Sequence, residues 1–121
     1  MTRLSDREWA VLTALWDTGG AELGQLTEQL QKETGWSRNT VLTYLTRMES
    51  KGLVEIQTEV TPHRYRAALR REDCRAQERR SFLQRVYHGS AGELVAAFLK
   101  EEPITSEERE QLRKLLDEME V

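Results

Sequence analysis

The chain has 121 residues, 38% of them hydrophobic and 32% charged, with a formal net charge of -3. That length supports one buried core with an attachment rather than two independent folds, and this composition belongs to a chain that folds in water. No apolar run approaches the roughly 20 residues of a membrane span, "MTRLSDREWAVL" lacks a signal-peptide pattern, and the lone Cys74 forms no internal disulfide, so a cytoplasmic protein without membrane insertion is expected.

Charge is distributed unevenly. Nine cations balance nine acids up to Arg70, whereas beyond Lys100 eight acids face Arg109, Arg113 and Lys114. The acidity therefore belongs to the C-terminal end and says little about what the front half binds.

In chain order, "LSDREWAVLTALWD" sets Leu4, Trp9, Leu12, Leu15 and Trp16 at helical spacing, with Ser5 and Glu8 as a capping box. Gly19-Gly20 stops this helix, and a second runs through Leu23, Leu26 and Leu30 to Gly35. After a tight turn, Ser37 caps a third helix with Val41, Leu45 and Met48 on its apolar stripe. Lys51-Gly52 ends it, and the second and third helices together read as a helix-turn-helix. The period then becomes alternating: "LVEIQTEV" predicts a strand over 53–60, Thr61-Pro62 a turn, and "HRYRAAL" a returning strand that carries Arg64 and Arg66 on one face. This hairpin is a wing.

From Arg71 the helical period returns. Phe82, Leu83, Val86 and Tyr87 form one stripe, Gly89 and Gly92 interrupt the helix, and Leu94, Val95, Phe98 and Leu99 form the next stripe. Pro103 breaks the chain before a last helix with Leu112, Leu115, Leu116 and Met119. Helices with one apolar face each, far along the chain from the first core, are buried most economically by a second copy. The expected interface is Phe82, Val86, Leu94, Phe98, Leu112, Leu115 and Leu116. The fold class is thus mainly α with a small β-hairpin wing: a winged helix-turn-helix over residues 1–70 and a helical dimerisation region over 71–121.

If Val41, Leu45 and Met48 face the core, the outer side of the third helix offers Ser37, Arg38, Asn39, Thr40, Thr43, Tyr44, Arg47 and Lys51. Arginine can bond guanine and asparagine adenine, threonine methyls can touch thymine, and hydroxyls can hold phosphates. The capped N-terminus adds backbone N–H groups suited to a phosphate, and Arg64 on the wing can reach the neighbouring backbone. An arbitrary polar stripe is usually just a solvated face, but the tight turn, the near absence of acid and the attached wing favour double-stranded DNA here. Cys74, His63 and His88 lack the spacing of a thiol enzyme or a metal site, so no catalytic residue, metal or cofactor is expected. Trp9, Trp16 and Trp36, beside leucines, read as packing rather than base-stacking residues. Two other classes fit the same elements: a winged helix that binds protein through this face, and a regulator with a ligand pocket between dimer helices.

The sequence resembles the BlaI/MecI family of penicillinase and methicillin-resistance repressors over nearly its whole length. The resemblance rests on "EWAVLTALW", "WSRNTVLTYLTRMESKGLV", "RYRA", "SFLQRVYHGSAGELVAAFLKE" and "LRKLLDE". It implies a two-fold dimer that binds an operator dyad and blocks transcription. In some members it also implies release by cleavage at an Asn-Phe bond, driven by a membrane-bound metalloprotease sensor. Three departures stand out. Leu42 and Ser50 replace residues that are often basic, Ala97-Phe98 replaces the Asn-Phe pair, and the paired C-terminal cysteines of copper-responsive relatives are absent.

Overall fold

The computed structural model describes residues 3–119 and divides the chain into two compact units, Met1–Glu78 and Arg79–Val121. The first unit contains α1 (Asp6–Thr18), β1 (Ala21–Glu22), α2 (Leu23–Thr34), α3 (Arg38–Ser50), β2 (Val54–Gln57) and β3 (Arg64–Ala67). α4 (Arg71–Tyr87) begins in the first unit and continues into the second, which also holds α5 (Ala91–Glu101) and α6 (Ser106–Glu118).

The three-helix body follows from its caps and stripes. Ser5 Oγ accepts from Glu8 N at 3.1 Å while Ser5 N donates to Glu8 Oε1 at 2.9 Å, which closes the expected capping box. Val11, Leu12 and Leu15 of α1, Leu26 and Leu30 of α2, and Val41, Leu45 and Met48 of α3 are almost completely removed from solvent. They form one core with Leu53, Val54, Tyr65 and Cys74. Burial of that much aliphatic surface is the main force holding the unit together, at about 1.5–3 kcal/mol per large side chain. Trp9 and Trp16 flank the core edge to face, with ring centroids 5.9 Å apart, and Trp16 Nε1 donates to Leu69 O at 2.9 Å. Arg71 closes this corner from α4, its guanidinium 5.4 Å from the Trp16 ring and ion-paired with Asp17.

One local expectation is extended and two need correction. The wing hairpin is present and gains a third strand, in an antiparallel sheet of order β1-β3-β2 where Ala21 pairs with Tyr65. A two-residue strand directly after a helix stop carries no periodicity to read. Gly20 makes the approach possible: at φ 111°, any Cβ there would lie 3.4 Å from the Tyr65 carbonyl oxygen. Second, β2 covers only Val54–Gln57, because β3 offers partners from Arg64 to Ala67 and the intervening residues form the exposed wing turn. Third, Gly92 does not interrupt a helix but lies in the first turn of α5, after the Ser90 cap. The break is made by His88 and Gly89, with φ values of 51° and 88°.

In the second unit, α5 and α6 each carry an apolar face, yet neither contains a buried residue. Ser90 and Thr105 cap them, and Thr105 forms a full box with Glu108.

Candidate nucleic-acid interface

The N-terminus of α3 is set by Ser37, whose Oγ accepts from Thr40 N at 3.2 Å and lies 3.1 Å from Thr40 Oγ1. Helix geometry leaves the N–H groups of Arg38 and Asn39 without intrahelical acceptors. One turn inward, Val41, Leu45 and Met48 fix the rotation of the helix by burying completely. Arg38, Asn39, Leu42, Thr43, Thr46, Arg47 and Ser50 are consequently exposed along the opposite side, with Glu49 the sole acid on the helix.

Several hydroxyls on this face are already engaged. Thr43 Oγ1 donates to Asn39 O at 2.9 Å, Thr46 Oγ1 to Leu42 O at 2.9 Å, and Ser50 Oγ to Thr46 O at 3.3 Å. Thr40 and Tyr44 are half-buried at the edge. The Tyr44 ring stacks on Trp36 with centroids 4.7 Å apart, and its hydroxyl accepts from Arg7 Nη1 at 3.0 Å. Arg7, 37 positions away in sequence, thus joins the edge of the face; nothing in the local pattern announces it.

The other expected cations are placed differently from one another. Arg47 is exposed on the outer side of α3. Lys51 turns back to α1, where its Nζ meets the buried Glu8 carboxylate at 2.9 Å. Burial pushes the Glu8 carboxyl up, but the Ser5 N–H and Lys51 outweigh it and hold the group below its ordinary value of 4.5. Arg64 lies at the root of the wing, opposite Glu22 in register, and its Nη2 donates to Gly20 O at 3.0 Å. Arg66 is ion-paired with Glu55 across the strands. The wing turn from Thr58 to His63 is exposed and contains no lysine or arginine. Where the turn approaches the start of α2, a cleft of about 470 Å³ is lined by Gly24, Arg38, Pro62 and His63 among others.

The proposed interface residues of the second half are distributed over α4, α5 and α6. Phe82, Val86, Phe98, Leu115 and Leu116 are exposed, and Leu94 and Leu112 half-buried. The Ala97–Phe98 bond lies within the helical body of α5. Cys74 is buried and its thiol is raised, first by burial and then by Asp73, which makes it inert packing. Among the described residues no group of three or more His, Cys, Asp or Glu is arranged to hold a metal, and no helix is long and apolar enough to cross a membrane.

Residues 4–118 match the family model of the penicillinase repressor. The methicillin resistance regulatory protein MecI of Staphylococcus aureus (strain N315) is 27% identical over 114 residues, covering 94% of this chain and 93% of the relative. The penicillinase repressor of Bacillus licheniformis is 28% identical over 116 residues, covering 96% and 91%. Among solved structures, monomeric Bacillus licheniformis BlaI in complex with the blaP half-operator superposes with a TM-score of 0.53 at 25% identity, covering 60% of this chain and 88% of that one. A MarR family protein from Bacillus stearothermophilus shares the fold at a TM-score of 0.51 and 21% identity, covering 98% of this chain and 76% of its own.

Proposed function

The chain belongs to the penicillinase repressor family of DNA-binding, non-enzymatic regulators, and we propose that it acts in the cytoplasm as a homodimer on an operator dyad, each copy laying α3 in the major groove. The observation that carries this reading is the exposed side of α3 from Arg38 to Arg47. It is free of acid over that stretch and is held at fixed rotation by three wholly buried residues. Arg38, Asn39 and Arg47 face base edges, Ser37 and the first N–H groups of the helix hold a phosphate, and Thr40, Thr43 and Tyr44 line the groove wall. Arg64 steers the wing root toward the adjacent backbone, and Lys51 supports α3 through Glu8 rather than meeting DNA directly. Selection of bound duplexes from a random pool tests the reading. A dyad with half-site centres about 34 Å apart, or a multiple, is expected. Affinity should fall log-linearly with salt, at a slope near -0.9 per phosphate contact. Enrichment of no duplex, or salt-independent binding, would count against it.

The dimer is supported by the exposed stripes of residues 79–119, which are too apolar to be left to solvent. Leu115, Leu116, Phe98 and Leu112 would anchor it, with Phe82, Val86 and Leu94 completing the face. Leu115→Glu should yield monomers in sedimentation that hold one half-site weakly, since the second copy acts through effective concentration.

Release by a protease answering to a membrane sensor would remove that second copy. A cut at Ala97–Phe98 would need α5 to open first, because the bond sits inside a helix. A chain truncated after Ala97 that still dimerises and holds its operator as firmly as the whole would rule the cut out as the switch.

A further inference from the structure

The exposed side of α3 is polar at its two ends and apolar in its middle. Asn39 and Arg47 are separated by eight residues, about 12 Å of helix, a distance comparable to three or four stacked base pairs. Between them lie Leu42, Thr43 and Thr46, all exposed. Both threonine hydroxyls donate to carbonyl oxygens of their own helix at 2.9 Å, so this stretch presents methyl groups and no free side-chain donor. Leu42, 38% exposed, lies beside them and has no place in the core, whose α3 members are fully buried. A single exposed leucine is ordinary on a protein surface. This one stands at helical spacing from Asn39 and Thr46, where a base-reading helix would otherwise place a hydrogen-bonding group.

Resting on the reading that this side of α3 enters the major groove, we propose that Leu42, with the methyls of Thr43 and Thr46, reads thymine 5-methyl groups. Each half-site then carries thymine at one or two base pairs lying between those read by Asn39 and Arg47. In the major groove the C5-methyl is the one apolar mark on a base edge, and it alone distinguishes thymine from uracil there. Cytosine lacks that methyl and offers an amino donor nearby, so it gives the leucine and threonine methyls no apolar partner.

The test uses the full-length protein and the duplex it selects from a random pool, with each thymine replaced in turn by deoxyuridine. At one or two adjacent positions per half-site, loss of the methyl should raise Kd about fourfold, the equivalent of roughly 0.8 kcal/mol for one buried methyl group. Leu42→Ala should bind the unmodified duplex more weakly and lose most of that uracil penalty, while other positions respond as in wild type. Leu42→Arg, put through the same selection, should exchange thymine for guanine at that position. Uracil neutral at every thymine, or a penalty unchanged in Leu42→Ala, would overturn the thymine reading while leaving DNA binding intact. Failure of the wild type to enrich any duplex would overturn the DNA reading and this one with it. Because Leu42 lies outside the core, the variants' urea midpoints should match wild type, and that match assigns any affinity loss to the contact itself.

Discussion

The winged-helix unit and the C-terminal helices use similar sequence material to opposite ends. Fifteen apolar side chains between Leu4 and Cys74 are buried, and residues from four helices and three strands meet in one core. α5 and α6 are helices with good caps and clear stripes, yet contain no fully buried residue, and Leu115, Leu116 and Met119 stand about 60% exposed. A leucine stripe therefore identifies a helix in either place, but it predicts a completed core only where other elements converge on it. The first unit has that convergence within one chain, and the proposed dimer would supply it for the second.

Two leucines give the sharpest measure of this difference. Leu12 is fully buried, and Leu12→Ala should cost about 2–5 kcal/mol of unfolding free energy, read by urea denaturation. Leu115→Ala, at a concentration where the chain is monomeric, should stay within about 0.5 kcal/mol of wild type. Its effect should appear instead as weaker association at higher concentration. A monomer destabilised equally by both would mean that the second unit completes its own core.

Within the first unit, the proposed reading face of α3 should separate cleanly from the core beneath it. Arg47→Ala is expected to cost about 1–3 kcal/mol on the selected operator and to relax preference at one position, with no change in urea midpoint. Arg64→Ala should weaken specific and random duplexes alike and lower the salt slope by about one contact. Because Arg64 also holds Gly20 O at the sheet edge, a small stability loss is expected with it. Equal losses on specific and random DNA for both variants would remove the distinction between helix and wing root.

Glu8 shows how a cap becomes part of a tertiary network. It closes the α1 capping box and receives Lys51 from the end of α3, so α1 and α3 are tied at the surface as well as through the core. Glu8→Gln should cost about 1–2 kcal/mol at neutral pH. The folded carboxyl is held below 4.5, so its contribution is complete above that value and is lost as the pH falls through the lowered one. Wild type and variant should therefore converge in acid. Parallel stability curves across that range would show that the carboxylate charge contributes nothing.

Helix existence, the helix-turn-helix and the exposed side of α3 were legible because periodicity, caps and glycine stops all act over a few residues. What escaped the sequence was set by contacts between distant residues. β1 forms because Gly20 lets Ala21 approach Tyr65, and Arg7 reaches Tyr44 only once α1 and α3 are packed. The intramolecular partners of Lys51 and Arg64 were hidden for the same reason, since a cation's helix or strand position does not show which anion or carbonyl lies across the fold. Leu42 and Thr46, by contrast, follow from the same helical spacing that picked out Asn39 and Thr43, and an inventory restricted to polar side chains passes over a leucine.

The smallest expected effect compares one motif in the two units. Ser5 with Glu8 and Thr105 with Glu108 form the same capping box, with oxygen-to-nitrogen distances of 3.1 Å in both for the side chain that accepts from the backbone. Their surroundings differ: Glu8 is buried and tied to Lys51, whereas Thr105 and Glu108 are both exposed to solvent. Thr105→Ala should cost the α6 helix about 1 kcal/mol, the worth of a cap alone. Because α6 adds nothing to the winged-helix core, that loss should be confined to faster amide exchange over Ser106–Glu118, with the protection of α1 to α3 unchanged. Ser5→Ala should instead lower protection throughout the first unit, since α1 unfolds only with the core it helps to build. A Thr105→Ala variant that loosens α1 to α3 as well would show that the two units fold as one cooperative body.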